Sequence, residues 1–269
     1  MQENSLIKLS QIIYDYCGLR YEDRLPILNE KISKRLLELG LSHWEYCQHL
    51  KMSPSEWDVL VELLTINETY FFREENQLNE CCSYLVSLMK RENMNRPIRI
   101  WSAACSSGEE PYSLAMLIQE TGIFQPGSVE IIATDINKKV LKKAEKGWYH
   151  HGSFAFRRTP EYFLGKYFIN EAEGYQIKPT IQKMVQFHYY NLLEQNKISQ
   201  IGVVDIIFCR NVLIYFDYET TKRVIRNLHQ NLATGGYLFL GHAESITDMT
   251  LGFKKVDSDT TFYYRKESE

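Results

Sequence analysis

Apolar residues recur at helical spacing from Leu6 to Leu64. Within that range they stand three or four positions apart in successive stretches, which is the pattern of helices with one buried face. Stop and start signals separate the stretches: Gly18 and Gly40 each follow an apolar run, and the segment 53–56 has the composition of a helix start. The pattern predicts an all-helical N-terminal region made of several short helices.

Beyond about residue 97 the hydrophobic pattern changes to that of buried strands. Short runs of β-branched, aromatic and other apolar residues stand at 98–101, 129–134, 203–208 and 236–240, as is typical of strands inside a parallel sheet. Helical patterns lie between them at 111–119, 138–145 and 218–232. Because strand alternates with helix, we predict a doubly wound α/β sheet that is covered on both faces.

An aromatic-rich stretch interrupts this alternation between residues 147 and 190. Two segments in it, 174–177 and 184–187, have the pattern of short strands paired around turns, so we interpret the stretch as a small antiparallel β insertion. Such an insertion is a common place for recognition of a partner, and a lid that packs on the core is the alternative. The predicted division is a helical domain at 1–75 and an α/β domain at 76–269, with the inserted subdomain at about 147–190.

Composition excludes several classes of protein. The six cysteines form no C-x-x-C pair and no cluster with histidine at zinc spacing, so we expect reduced thiols and no metal. A formal charge of -3 provides no overall attraction to nucleic acid or to an anionic membrane. The N terminus lacks the features of a signal peptide, and no apolar run is long enough to span a membrane, so we expect a cytoplasmic protein.

The first candidate chemistry lies in a strand, tight turn and helix unit. The strand at 98–101 runs into the small residues 102–108, and a helix then begins near Pro111. Small residues let a ligand approach the backbone closely, and the N–H groups at a helix start can bind a carboxylate or a phosphate. Because only Gly108 remains of the glycines of a dinucleotide fingerprint, the turn disfavours NAD and FAD.

Two acidic residues near this turn have structural as well as functional interpretations. Asp135 ends the next predicted strand, where a carboxylate can accept hydrogen bonds from ribose hydroxyls, but it can also cap the helix after Asn137. Glu110 stands three positions after Ser107, which matches a capping box. The segment 67–73, taken by itself, has the composition of an aromatic linker.

Six segments resemble, in the same order, those of the chemoreceptor glutamate methyltransferases, the CheR family. They are 64–74 (LTINETYFFRE), 99–113 (RIWSAACSSGEEPYS), 133–136 (ATDI), 191–194 (NLLE), 207–216 (IFCRNVLIYF) and 241–245 (GHAES). The series covers nearly the whole chain. The resemblance implies a Rossmann-like fold that binds S-adenosylmethionine. It also implies methyl transfer to glutamate carboxylates of methyl-accepting chemotaxis receptors, giving glutamyl methyl esters and S-adenosylhomocysteine.

The resemblance also implies roles for individual residues. Glu110 matches the acid at the amino acid end of the cofactor, and Asp135 matches the residue that holds the ribose. The other implied cofactor contacts are Asn67, Thr69, Arg73, Asn191, Leu192, Arg210 and Asn211. Arg73 is the candidate to orient the substrate carboxylate by a charge-assisted hydrogen bond. Tyr215 is the second candidate, near the transferred methyl group, and a core tyrosine is its alternative.

In the family, basic residues on an N-terminal helix are thought to meet an acidic helical receptor surface. Lys31, Lys34 and Arg35 have the spacing that places them near one face of a helix. Acidic residues outnumber basic ones in this region, so a solvated helix face is the alternative. Two other functions stay open: a non-catalytic module that senses S-adenosylmethionine, and a methyltransferase of a small carboxylate or of a non-chemotactic sensory protein. In each case we expect a monomer.

Overall fold

The computed structural model describes residues 2–91, 96–194, 198–246 and 251–267. Its N-terminal part is helical, with α1 Gln2–Cys17, α2 Leu25–Leu39, α3 His43–Met52 and α4 Glu56–Leu64. The predicted stops are confirmed, because Gly18 and Gly40 follow α1 and α2 with φ of 76° and 65°. These helices bury a core of their own, which includes Leu28, Ile32 and Leu60.

The rest of the described chain contains both strands and helices, which alternate except where β5 follows β4 and where the last three strands are consecutive. The strands are β1 Ile98–Ala103, β2 Val129–Asp135, β3 Trp148–His150, β4 Phe168–Asn170, β5 Gly174–Ile177, β6 Val185–Tyr189, β7 Val204–Cys209, β8 Leu232–Leu240, β9 Phe253–Asp257 and β10 Phe262–Lys266. The helices are α5 Glu75–Arg91, α6 Glu109–Glu120, α7 Lys138–Lys146, α8 Glu161–Tyr167, α9 Pro179–Gln182, α10 Ile198–Ile201 and α11 Tyr218–Asn231. The sequence patterns indicated neither α5 nor the last two strands.

The described strands form a seven-stranded sheet in the order β6-β2-β1-β7-β8-β10-β9. The first five are parallel, and β10 is antiparallel to both of its neighbours. Successive side chains of β1 enter different cores, since Ile100 packs with α5 and α6 while Trp101 packs with α11. The predicted doubly wound sheet, covered on both faces, is therefore confirmed.

A small antiparallel sheet with the order β3-β5-β4 confirms the predicted insertion. The predicted pairing of 174–177 with 184–187 is wrong. Strand β5 pairs with β3 and β4, whereas β6 is an edge strand of the large sheet and pairs parallel with β2, Val185 opposite Ile131. In β6 buried Val185 is followed by exposed Gln186, as in a hairpin strand, so the local pattern could not distinguish the two. The domain boundary at residue 75 stays a prediction.

Polar contacts join the helical part to the sheet. The amide of Asn137 donates to the hydroxyl of Thr65 at 2.9 Å, and Lys138 forms an ion pair with Asp58 at 3.0 Å. Each of the six cysteines is a buried free thiol. Among the helices of the described ranges, none combines the length and the apolar character that a bilayer crossing requires.

Candidate functional site

A cavity of about 350 Å³ lies between the carboxyl ends of the parallel strands and the helical part. Open α/β sheets bind their ligands at this end of the strands. Its wall contains every predicted site residue: Asn67, Thr69, Arg73, Glu110, Asp135, Asn191, Leu192, Arg210, Asn211 and Tyr215. Residues far apart in the sequence therefore meet at one place, and their individual roles remain predictions.

The turn after β1 is folded tightly against this cavity. Ala104 and Ser106 have positive φ angles of 58° and 50°, and Gly108, which precedes α6, has a φ of 93°. A Cβ atom at Gly108 would lie 2.8 Å from the Cβ of Ala144 on α7, so both backbone conformation and space require glycine there. The turn thus presents small residues to a ligand, as its sequence predicts.

Asp135 is a buried carboxylate at the end of β2. Its two oxygens accept the backbone N–H groups of Ser106 and Asn137, each at 2.8 Å. The cap of α7 is Asn137, whose side chain accepts from the N–H groups of Lys139 and Val140, so the capping interpretation of Asp135 is wrong. Burial raises the pKa of Asp135 to about 6, although the backbone N–H groups of Ser106, Ile136 and Asn137 lower it.

The resemblance predicts that Asp135 holds the ribose of S-adenosylmethionine, and on that assignment cofactor affinity is expected to fall as the pH drops below about 6, where Asp135 becomes protonated. Only the ionised carboxylate can accept hydrogen bonds from both ribose hydroxyls. The Kd for S-adenosylmethionine, measured by titration calorimetry, should be constant above that pH and rise about tenfold per pH unit below it. Asp135→Asn should bind more weakly and lose this dependence, and an unchanged slope in that variant would contradict the assignment.

The raised pKa of Asp135 has the opposite effect on the stability of the fold, which it increases at low pH. A carboxyl that holds its proton more tightly in the folded state favours folding at low pH. This contribution from Asp135 is complete below its ordinary pKa of 3.8 and is lost as the pH rises through about 6.

Glu110 and Arg210 form a buried ion pair, in which Arg210 Nε lies 2.9 Å from Glu110 Oε2. The other oxygen of Glu110 accepts from the Ser102 hydroxyl at 2.6 Å. Burial raises the pKa of Glu110, and the positive charge of Arg210 opposes that shift. The capping-box interpretation of Glu110 is wrong, because the Ser107 hydroxyl donates to the carboxylate of Glu109 at 2.8 Å. Glu110 is thus free of a helix-capping role and lines the cavity.

Glu244 organises the loop after β7, and sequence reasoning did not assign it a role. Its buried carboxylate accepts the backbone N–H groups of Asn211, Leu213 and Gly241 at 2.8, 2.7 and 2.7 Å. Asn211 is held at a positive φ of 58°. The sequence signal for this role is that Glu244 stands three positions after Gly241, at the end of a predicted strand. By itself that spacing does not indicate which backbone groups the carboxylate binds.

The segment 67–73 forms one wall of the cavity and is anchored by its aromatic residues. Phe71 and Phe72 are buried in the core of the α/β part. Arg73 lines the cavity and donates from Nη1 to the carbonyl of Glu68 at 2.9 Å. Tyr215 also lines the cavity and is half-buried rather than part of a core. Burial raises the pKa of Tyr215, and the positive charge of Arg73 lowers it, as expected of two side chains facing one space.

The side chain of Asn191 is engaged within the protein. Its amide nitrogen donates to the carbonyl of Tyr16 at 2.7 Å, and its oxygen accepts the N–H of Leu193 at 3.1 Å. These bonds fix α1 against the loop after β6. Asn191 and Leu192 line the cavity, and the polar atoms of the Asn191 side chain are already paired within the protein.

The three predicted docking cations do not form a free basic face. Arg35 contacts Glu56 at 2.9 and 2.7 Å, and Lys31 donates to the carbonyl of Leu63 at 3.2 Å. Lys34 is exposed and stands apart from these contacts. Arg35 is held by a buried carboxylate that is distant in the sequence and matches its fixed fork, and the docking role of the three residues stays a prediction. The cavity wall has other cations that the sequence did not reveal, Arg20 and Arg24 beside Lys31.

The cavity suits the cofactor that the sequence resemblance implies. Its volume lies within the usual range for small-molecule sites, and its small-residue turn lets a ligand approach the backbone. A carboxylate at Glu110 suits an ammonium group, and one at Asp135 suits a pair of hydroxyls. In the ranges that the structure covers, no three histidine, cysteine or acidic side chains are grouped as a metal site.

A family model described as the S-adenosylmethionine-binding domain of CheR methyltransferases matches residues 67–262. The chain belongs to the CheR family. Relatives of this CheR chain extend the match beyond that domain. Chemotaxis protein methyltransferase 2 of Vibrio cholerae serotype O1 is 36% identical over 97% of this chain and 93% of the relative.

Two further relatives span different lengths. The chemotaxis protein methyltransferase of Escherichia coli K12 is 33% identical over 91% of this CheR chain and 86% of the relative. A Pseudomonas aeruginosa protein named as a probable biofilm formation methyltransferase is 31% identical over 90% of this chain but only 57% of the relative. The chain is therefore a methyltransferase that binds S-adenosylmethionine, and its substrate is the question that remains.

Proposed function

We propose that this chain transfers the methyl group of S-adenosylmethionine to glutamate side chains of chemotaxis receptors. The products are glutamyl methyl esters and S-adenosylhomocysteine. One observation carries the proposal: two buried carboxylates suited to the cofactor and one arginine suited to a substrate carboxylate line the same cavity. Relatives named as chemotaxis protein methyltransferases support a receptor as the substrate.

The reaction needs little acid–base help from the protein. A glutamate carboxylate is already ionised at neutral pH, and bound S-adenosylmethionine supplies a methyl group on a positively charged sulfur. The chain has to hold the carboxylate in line with that methyl group and exclude water. In the transition state the negative carboxylate and the positive sulfur lose their charges together. A site in which fixed polar groups replace water therefore favours the reaction. No metal ion is required by this chemistry, and we propose that none takes part.

Each site residue has a proposed task. Glu110 binds the cofactor's ammonium group, and Arg210 holds Glu110 in its ionised form. Asp135 binds the ribose, and Arg73 orients the substrate carboxylate, with Tyr215 beside the methyl group. The remaining proposed cofactor contacts are Asn67, Thr69, Asn191, Leu192 and Asn211.

A sensory protein outside chemotaxis is the second candidate substrate, and the relative named for biofilm formation favours it. A non-catalytic sensor is disfavoured because Arg73 and Tyr215 face the cofactor cavity together. Incubation with labelled cofactor and cytoplasmic receptor fragments from both kinds of pathway tests these alternatives. We expect label on a chemoreceptor fragment that mild base releases. Base-labile label only on the non-chemotactic fragment would favour the second candidate.

The substrate is proposed to approach past a basic rim, defined as Arg20, Arg24 and Lys31 in the wall of the cavity. The side chains of Arg20 and Arg24 are 48% and 56% exposed, so they can meet an acidic partner in solvent. Their nearest carboxylates lie at 3.9 and 4.0 Å, which is a weak pairing at an exposed surface. Positive charge around the cavity would attract the acidic surroundings of a receptor glutamate.

Reversing the charge of Arg20 and Arg24 to glutamate is expected to lower kcat/KM for the receptor fragment about tenfold or more at low salt. The loss should shrink as salt is added, because exposed charges are screened. The Kd for the cofactor and kcat at saturating receptor should change little. Lys51→Glu is the matched control, since Lys51 is exposed but does not line the cavity. An equal loss in that control would contradict the basic rim.

A further inference from the structure

A chain of side-chain contacts connects the β insertion to Arg73. Arg157 ends the short helical turn Phe154–Phe156 within the insertion. Its Nη2 donates to Oε1 of Glu68 at 2.8 Å, and its Cζ lies 3.8 Å from the centre of the Tyr70 ring. The same Tyr70 ring lies 5.6 Å from Cζ of Arg73, which also donates to the carbonyl of Glu68 at 2.9 Å. Glu68 and Tyr70 thus lie between the two arginines.

The planar guanidinium of Arg157 suits this double contact. Its Cζ lies over the Tyr70 ring while its Nη2 donates to the Glu68 carboxylate, a combination that a lysine cannot reproduce. The side chains of Arg157 and Glu68 are 36% and 67% exposed, so their ion pair adds little to the stability of the fold. The contact therefore matters more for the orientation of the Glu68 and Tyr70 side chains than for the stability of the fold.

The backbone around these side chains is fixed by other means. The N–H of Phe71 donates to the carbonyl of Ala155 at 2.9 Å, and the buried Phe71 ring packs on Phe156 and Phe168 of the insertion. With the backbone held by buried rings, the orientation of the Tyr70, Glu68 and Arg73 side chains is what remains for Arg157 to determine.

We propose that Arg157 is a positioning residue for methyl transfer. It holds Glu68 and Tyr70 so that the guanidinium of Arg73 is directed at the substrate carboxylate. This inference rests on the proposed role of Arg73 in the reaction. It makes the insertion part of the catalytic machinery, so a shift of the turn 154–156 changes the rate even when the cofactor is bound.

Arg157→Ala is expected to lower kcat about threefold to tenfold, because weak exposed contacts can shift the orientation of Arg73 only by their own small free energy. The cofactor Kd and the thermal midpoint should stay at their wild-type values, because the exposed pair adds little stability. Arg157→Lys keeps the charge but not the planar fork, so its kcat should lie between those of Arg157→Ala and the wild type. Arg158→Ala is the matched control, since Arg158 is the exposed neighbour in the sequence, and it should retain full activity.

A double variant distinguishes a positioning role of Arg157 from a general disturbance of the structure. In Arg73→Lys, whose fork is already lost, adding Arg157→Ala should lower kcat much less than it does in the wild type, because both changes act on one group. Equal kcat in Arg157→Ala and wild type would overturn the proposal, as would the same fold loss in both backgrounds. If wild type itself modifies no receptor, the proposed function fails. A crystal structure of Arg157→Ala then decides the inference, which fails if Arg73 and Tyr70 keep their places.

Discussion

Replacing Glu110 by glutamine is expected to weaken S-adenosylmethionine binding by about a hundredfold or more, because a buried charged contact contributes about 3 kcal/mol. Glutamine has nearly the same size, so the cavity keeps its shape and only the charge is lost. Arg210 is 2% exposed and would be left without its counter-charge. Leaving Arg210 unpaired destabilises the fold, but removing a carboxylate whose pKa is raised by burial offsets part of that cost, so the free energy of unfolding should fall by less than about 3 kcal/mol.

Titration calorimetry and denaturant unfolding measure the two effects separately. Glu109→Gln is the matched control, since Glu109 is the adjacent buried glutamate but does not line the cavity. Burial raises the pKa of Glu109, so neutralising it should cost little. Wild-type cofactor affinity in Glu110→Gln would show that this carboxylate does not bind the cofactor's ammonium group.

Replacing Arg73 by alanine is expected to lower kcat about a hundredfold or more, through loss of orientation of the substrate carboxylate. The cofactor Kd should change less than about tenfold, because Glu110 and Asp135 would still hold the cofactor. Arg73→Lys should recover part of the activity, since lysine keeps the charge but not the two-pronged geometry. Steady-state rates at saturating cofactor and receptor measure the effect.

The effect of Tyr215→Phe on kcat is to be compared with that of Arg73→Ala. Tyr215→Phe removes a hydroxyl but keeps the ring in the cavity wall, so a small loss would assign Tyr215 a packing role near the methyl group. If Arg73→Ala instead raised only the cofactor Kd and left kcat unchanged, Arg73 would be a cofactor contact without a role in the transfer step.

The sheet and the assembly of the site were predictable from local patterns. Strands β1, β2 and β7 are nearly uninterrupted apolar runs, and parallel strands bring their carboxyl ends to one edge. That geometry places Asp135 near Arg210 once the strands are known. The half-exposed edge strand β6 was misassigned, because it alternates like a hairpin strand.

Partners distant in the sequence were not predictable in this way. Arg35 is near Lys31 on α2, yet its partner is Glu56 on another helix, and only the packing of those helices reveals the pair. A match to S-x-x-E suggested that Ser107 pairs with Glu110, but the hydroxyl turns to Glu109 instead. Local rules name the groups that need partners, whereas the tertiary structure selects among several nearby candidates.

The most direct test of the central claim is to locate the transferred methyl group. A cytoplasmic chemoreceptor fragment would be incubated with this chain and S-adenosylmethionine, digested, and sequenced by tandem mass spectrometry. We predict the added mass of one methyl group on glutamate side chains, absent without cofactor, removed by mild base and strongly reduced with Arg73→Ala. A methyl group on any other residue type, or none on a fragment incubated with a chain that binds the cofactor, would contradict the claim.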